Sequence, residues 1–162
     1  MNKQPISAIA VFDDKKIKGV VKFTEDNKSN SIRIDIQIEG LKKNFLHGFH
    51  VHESGDLTGK CESMCAHFNP YKKQHGCPGS KNRHVGDLGN LKTDSNGIAN
   101  YTMYDDVIKL KGKCNIIGRG LIIHADTDDC GLGNNDASLL NGNAGKRIAC
   151  AIIGYSKDNF TC

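Results

Sequence analysis

Six of the seven histidines in this 162-residue chain fall between His47 and His84, and the seventh, His124, stands far downstream. Imidazole is the commonest metal-binding side chain. Histidines at short, varied spacings beside a carboxylate, here Asp87, read as a metal site rather than as packing. His50 and His52 are two apart in LHGFHVHE. On a strand they point the same way, with Cβ atoms roughly 6–7 Å apart, so both imidazoles can converge on one ion. His67, His75, His84 and Asp87 make three imidazoles and one carboxylate, a full tetrahedral set for zinc. Such a closed set would order a loop that has no hydrophobic reason to be ordered. His124 ends an apolar run, where a lone histidine is most simply a satisfied core residue. It completes a set with His50 and His52 if the strands lie together. Cys61-x3-Cys65 has no second close cysteine pair, which argues against a zinc finger.

The elements that must position these groups read as strands. Ile6 to Phe12 and Ile17 to Phe23 form a hairpin across Asp13–Lys16. SIRIDIQIEG alternates Ile32, Ile34, Ile36 and Ile38 with polar residues, so one face enters a core and the other meets water. In LHGFHVHE, Phe49 and Val51 take the face opposite the histidines. Asp87 to Thr93 is expected to pair with Ile98 to Tyr104 through the turn Asp94-Ser95-Asn96-Gly97. The segment Cys114 to His124 reads as an apolar strand in which Gly118 and Gly120 mark a bulge or a close approach. Arg147 to Gly154 closes the fold. Residues 54–86 and 125–146 hold no sustained period, and loops this long in a small fold are functional or disordered. About eight strands, two long loops and no convincing helix predict an antiparallel sandwich or flattened barrel, one domain over residues 1–162.

Composition narrows the function. The net charge of +4 and the lack of a basic block argue against nucleic acid as a partner. No run reaches the roughly eighteen apolar residues of a membrane helix. MNKQPISAIAVF lacks a leader's apolar core, and this predicts a cytoplasmic protein. Cys61, Cys65, Cys77, Cys114, Cys130, Cys150 and Cys162 are an odd number, expected to be mostly thiols in a reducing compartment.

GFHVHESGD, HFNP, HGCPGSKNRHVGDLGN, GRGLIIHADTDDCG and GNAGKRIACAIIG closely resemble, in order and spacing, the signatures of the copper,zinc superoxide dismutases. The resemblance covers nearly the whole chain. It implies an eight-stranded Greek-key β-barrel, one copper and one zinc ion per subunit, and conversion of two superoxide ions to oxygen and hydrogen peroxide by copper cycling. By the same resemblance copper is held by His50, His52, His67 and His124, and zinc by His67, His75, His84 and Asp87, with His67 bridging. His67 then also carries a proton to product, and Arg147 binds the substrate anion. Asp128 matches the carboxylate linking a copper histidine to a zinc histidine, His50 to His75, and His47 a position that supports the copper strands. The resemblance implies a Cys61–Cys150 disulfide, a pairing that the seven cysteines alone leave open. It would close a loop of about ninety residues, for roughly 4 kcal/mol in the chain-entropy model.

Several positions depart from the family pattern. Leu140 and Asn141 stand where the family often has a lysine and a threonine that steer superoxide, so steering leans on Arg147 and other basic groups. Ser54 replaces an aromatic at the contact of the usual homodimer, which runs through Gly55 and Ile152. Cys65, Cys77 and Cys130 lie outside the general pattern; a second bridge between Cys65 and Cys77 is conceivable, and Cys114 and Cys162 read as free thiols. Lys146 and Ile148 flank Arg147 where some relatives carry prolines tied to a copper chaperone, which points to maturation without one. The alternatives to an enzyme are a non-catalytic dismutase-like module that binds or delivers copper, and a structural protein that holds zinc alone.

Overall fold

Alternating apolar residues build two antiparallel sheets whose inner faces share one core. The computed structural model describes residues 4–162; the first three residues of the segment read for a leader lie outside them. The first sheet contains β1 (Ser7–Asp13), β2 (Lys18–Asp26), β3 (Ser31–Glu39), β6 (Ala99–Asp105) and β9 (Gly154–Tyr155), in the order β6-β3-β2-β1-β9. The second contains β4 (Leu46–His52), β5 (Asp87–Lys92), β7 (Gly120–His124) and β8 (Arg147–Ile152), in the order β5-β4-β7-β8. The chain leaves the first sheet after β3, makes β4 and β5, and returns to lay β6 beside β3, a Greek-key path. Ile32, Ile34, Ile36 and Ile38 are all buried from β3 and meet Phe49, Val51, Leu121 and Ile123 from the second sheet.

Four expectations change. The strands number nine rather than eight, because Ile153 interrupts the last run and β9 pairs with β1 in the other sheet. The turn at Asp94 forms, its carboxylate accepting from the amides of Asn96 and Ile98 at 2.8 and 3.0 Å, with Gly97 at φ 78. Its flanking strands are not partners, however: β5 pairs with β4 and β6 with β3, so the turn carries the chain between sheets. The strand expected from Cys114 begins only at Gly120, since Asn115 accepts from the Ile117 amide at 3.0 Å and Gly118 turns the backbone at φ 87. Gly120 is a close approach: a Cβ there would lie 2.3 Å from the Met64 sulfur. The fourth change is a short helix, α1 (Asp136–Asn141), inside the second long loop. Asn135 caps it by accepting from the Ser138 amide, and Gly142 ends it in the left-handed region.

The long β4–β5 loop is tied to the sandwich by a buried ion pair. Arg83 donates to Asp105 at 2.7 Å and to the carbonyls of His84 and Val85. Asp105 also accepts from the amides of Val107 and Ile108, both at 2.9 Å. Removing one partner strands a buried charge. Asp105→Ala is therefore expected to lower unfolding free energy by about 3–5 kcal/mol in denaturant titration. A loss under about 1 kcal/mol would show the pair is not part of the anchor.

Candidate metal centre

Two groups of side chains meet at the outer face of the second sheet. His50 and His52 lie on β4, opposite Phe49 and Val51, which enter the core. His124 ends β7, the neighbour of β4. The register slips between Gly48 and His50, and again between Ile123 and His124. Such irregularities re-aim a side chain, here the imidazoles of His50 and His124. Gly48 makes room for them, since a Cβ there would lie 3.3 Å from the His50 ring and 2.7 Å from Ala144. His67 enters from the long loop, bridged to His52 through the backbone. Ligand atoms of His50, His52, His67 and His124 all lie within 4.8 Å of one another, as do those of His67, His75, His84 and Asp87. His67 belongs to both groups, and all seven residues are buried.

The hydrogen bonds show which ring nitrogen each imidazole turns inward. His50 Nε2 donates to Asp128 at 2.7 Å, His52 Nδ1 to the Cys65 carbonyl at 2.9 Å, and His124 Nδ1 to the Gly145 carbonyl at 3.1 Å. A neutral imidazole that donates through one nitrogen offers a lone pair at the other. The remaining nitrogens, His50 Nδ1, His52 Nε2, His67 Nε2 and His124 Nε2, are buried with no hydrogen-bond partner. Such orphans are rare and call for a ligand. In the second group, Nδ1 of His67, His75 and His84 stand 2.9, 3.0 and 3.1 Å from Asp87 Oδ1. Bonds of about 2.0 Å to a tetrahedral ion would separate ligand atoms by about 3.3 Å, close to those spacings. The residues fit a four-histidine ion beside a three-histidine, one-carboxylate ion, sharing one imidazole.

Burial decides the charge states. It lowers the pKa of His50 to about 3, with His67 adding to the effect and Asp128 opposing it. Burial likewise lowers His124 to about 4 and His52 well below its ordinary range. These imidazoles are neutral at neutral pH, as ligands must be. For His75 burial also lowers, but its contacts with Asp128 and Asp87 outweigh that and raise it to about 9. Asp128 falls to about 2 although burial opposes this, because His50 and His75 donate to it.

Asp128 connects the groups, accepting from His50 at 2.7 Å and from His75 Nε2 at 2.8 Å. Three contacts that the sequence reading missed hold it. Asn90 accepts from the Asp128 amide at 2.8 Å and donates to its carbonyl at 3.0 Å. The Cys130 amide donates to its carboxylate at 2.7 Å. Gly142 leaves the space, for a Cβ would lie 2.1 Å from Asp128 Oδ1 and 2.5 Å from His75 Nε2. Only Gly142 left a signal, as the glycine that ends α1. His47 stands outside both groups and donates through Nδ1 to the His124 carbonyl at 2.8 Å.

Cys61 and Cys150 are bonded, joining the long loop to β8. The second bridge joins Cys77 to Cys130, not to Cys65. Cys65 stays an exposed free thiol in a left-handed turn at φ 64, and its carbonyl serves His52 and Arg147. Arg147 donates to the Cys61 carbonyl at 2.8 Å and the Cys65 carbonyl at 2.5 Å. It lines a cleft of about 600 Å³ that opens onto His52, His67 and His124.

Fold and site together define a β-sandwich protein with a two-metal centre. The sequence profile described as copper/zinc superoxide dismutase matches residues 17–153. A superoxide dismutase [Cu-Zn] of Paramecium bursaria Chlorella virus 1 is 60% identical over 157 residues, covering 97% of this chain and 82% of the relative. The superoxide dismutase [Cu-Zn] of Saccharomyces cerevisiae is 47% identical, covering 93% and 99%. The crystal structure of the clock protein EA4 superposes with a TM-score of 0.90 at 42% identity, covering 96% and 98%. The chain belongs to the copper/zinc superoxide dismutase family.

Asp128→Ala frees both rings it holds, so retention of both ions is expected to weaken by about ten- to a hundredfold. Chelator competition measures it, and unchanged retention of either ion would show that Asp128 does not orient that group.

Proposed function

We propose that copper is held by His50, His52, His67 and His124, and zinc by His67, His75, His84 and Asp87, and that this pair of sites dismutates superoxide. The carrying observation is the four buried ring nitrogens that converge without a partner. The cofactors agree with the family, and the donors suit them: imidazole accommodates copper, while three imidazoles and a carboxylate suit tetrahedral zinc. Copper, when bound, supplies the one-electron chemistry that oxidises one superoxide to oxygen and reduces a second, which takes two protons to become hydrogen peroxide.

The chain's own residues bring substrate and proton together. Arg147 is fixed by the Cys61 and Cys65 carbonyls and faces the cleft, where its guanidinium binds the anion. The turn that carries the Cys61 and Cys65 carbonyls is anchored by the Cys61–Cys150 bond, which sets its position. His67 keeps Nδ1 against Asp87 and turns Nε2 toward the cleft side, so Nε2 is the atom that can hold a proton and deliver it to reduced substrate. Asp128 orients the His50 and His75 rings, and Asp87 draws on three imidazoles at once.

The same proposal takes residues 1–162 as one dismutase-like domain, supported by a single core shared between the two sheets. A homodimer is supported by half-exposed Val11, Leu57 and Ile152 around the groove beside the disulfide. A cytoplasmic setting rests on the free thiols Cys65, Cys114 and Cys162; against the expectation of mostly thiols, four of the seven cysteines are paired in two disulfides, and a relative named extracellular is 51% identical. Copper loading without a chaperone is supported by Lys146 and Ile148 beside Arg147.

Purified protein is expected to carry about one copper and one zinc per chain and to remove superoxide rapidly in stopped-flow assays. Zinc alone with no turnover after copper reconstitution would refute the enzyme and leave the structural reading. Arg147→Gln is expected to lower kcat/KM by roughly tenfold, about 1.4 kcal/mol of lost anion binding, with both metals retained. Loss of copper in step with rate would instead make Arg147 a support for the site.

A further inference from the structure

Among the described residues, three polar or covalent ties cross between the two long loops. The His75 amide donates to the Leu139 carbonyl at 2.8 Å, and His75 Nε2 donates to Asp128 Oδ1 at 2.8 Å. The third tie is the Cys77–Cys130 disulfide. Both hydrogen bonds belong to His75, so of the three only the bridge holds the loops together without using that ring or its backbone.

The bridge closes on the side of Asp128 that faces His75. The Cys130 amide donates to Asp128 Oδ1 at 2.7 Å, the same oxygen that accepts from His75. Gly131 then passes so near the other loop that a Cβ there would lie 2.7 Å from the His75 carbonyl. His50 is held differently. It donates to Asp128 Oδ2 from β4, and Asn90 of β5 grips the Asp128 backbone. Neither Cys77 nor Cys130 lies in a strand, whereas Cys150 pairs with Ile122 inside the second sheet. Opening Cys77–Cys130 therefore breaks no sheet hydrogen bond, and segments with few such bonds open most readily. Both cysteines are half-buried, residues 78–82 are exposed, and the space beside Gly79 is open, so a small thiol can reach the bridge.

We infer that the Cys77–Cys130 bridge is a redox-opened clasp on the zinc group, which a dithiol reductant opens to weaken retention of zinc while copper is kept. The inference rests on the ligand assignment proposed above. In the step the S–S bond breaks, two electrons and two protons pass from the dithiol to Cys77 and Cys130, and the reductant closes its own disulfide. No metal changes oxidation state. With the clasp open, His75 keeps only the contacts it makes itself, while His50 and Asp128 stay fixed to β4 and β5. Loss of such outer support weakens metal binding by about ten- to a hundredfold. Disulfides that persist in reducing compartments are mostly catalytic or redox-sensing, which suits this role.

The test uses full-length protein loaded with copper and zinc, reduced with dithiothreitol and freed of it by anaerobic gel filtration. Alkylation and mass spectrometry report which cysteines have opened. Once Cys77 and Cys130 are alkylable, a competing chelator is expected to take zinc at about tenfold lower concentration. The C77S/C130S double variant should release zinc that readily without reductant, keep its copper, and gain nothing from reduction. The wild-type arm stands even if the double variant does not fold. Zinc retention that is unchanged or stronger with Cys77 and Cys130 reduced would overturn the inference. So would reductant-driven zinc loss that persists in the double variant, or copper leaving that variant in step with zinc. Protein that responds as expected yet removes no superoxide would overturn the dismutase reading and leave the clasp standing. Protein that takes up no zinc with both bridges closed would overturn the ligand assignment and the clasp together.

Discussion

Four buried imidazole nitrogens, on His50, His52, His67 and His124, converge at one place in this protein, and each would cost about 1–3 kcal/mol if left without a partner. Together those costs rival the whole stability of an ordinary domain. One ion would satisfy all four at once, because each ring's other nitrogen is already committed to a carbonyl, to Asp128 or to Asp87. The architecture around the site holds lone pairs together that would otherwise separate. The sandwich supplies two strands, β4 and β7, that are rigid enough to present three of these rings. The loops supply the rest.

Loops hold such a strained arrangement only if they are tied down, and here the ties are polar and covalent rather than hydrophobic. Arg83 and Asp105 fasten the β4–β5 loop to the sandwich, one residue from His84. Asn90 grips the backbone of Asp128, and two disulfides join loop to strand and loop to loop. The Cys77–Cys130 bridge joins residues two positions from His75 and from Asp128, so it ties the two long loops near the shared carboxylate. The same ties define the cleft. Two guanidinium nitrogens of Arg147 donate to carbonyls of the turn that Cys61 anchors, which positions the group and leaves further donors for an anion.

Much of the fold was legible in the chain. The isoleucines of β3 alternate through four pairs, and a period of two is diagnostic when one face is buried. The position of β4 and the shared face of His50 and His52, opposite Phe49 and Val51, followed from the same period. Local patterns could not tell which strands pair. The turn at Asp94 is a true turn, yet a short turn is equally compatible with a hairpin and with a step between sheets. An apolar run with an asparagine and a glycine in it looked like one long strand, but Asn115 and Gly118 made a turn of its first half. Helix α1 has six residues, fewer than a helical period needs to show itself, so only its cap and terminal glycine marked it.

The amino-acid sequence by itself determined the donor set. Residue type and order decide which side chains can bind a metal, and the crowding between His47 and His84 together with the family motifs named all seven. The tertiary structure alone decided which nitrogen each imidazole leaves without a protein partner. That depends on hydrogen bonds to Asp128, Cys65 and Gly145, on two register slips that rotate His50 and His124, and on the left-handed turn at Gly142. It also decided the disulfide partner of Cys77. These are distances between residues far apart in the chain, set by the closing of two sheets on one core. No local pattern encodes them.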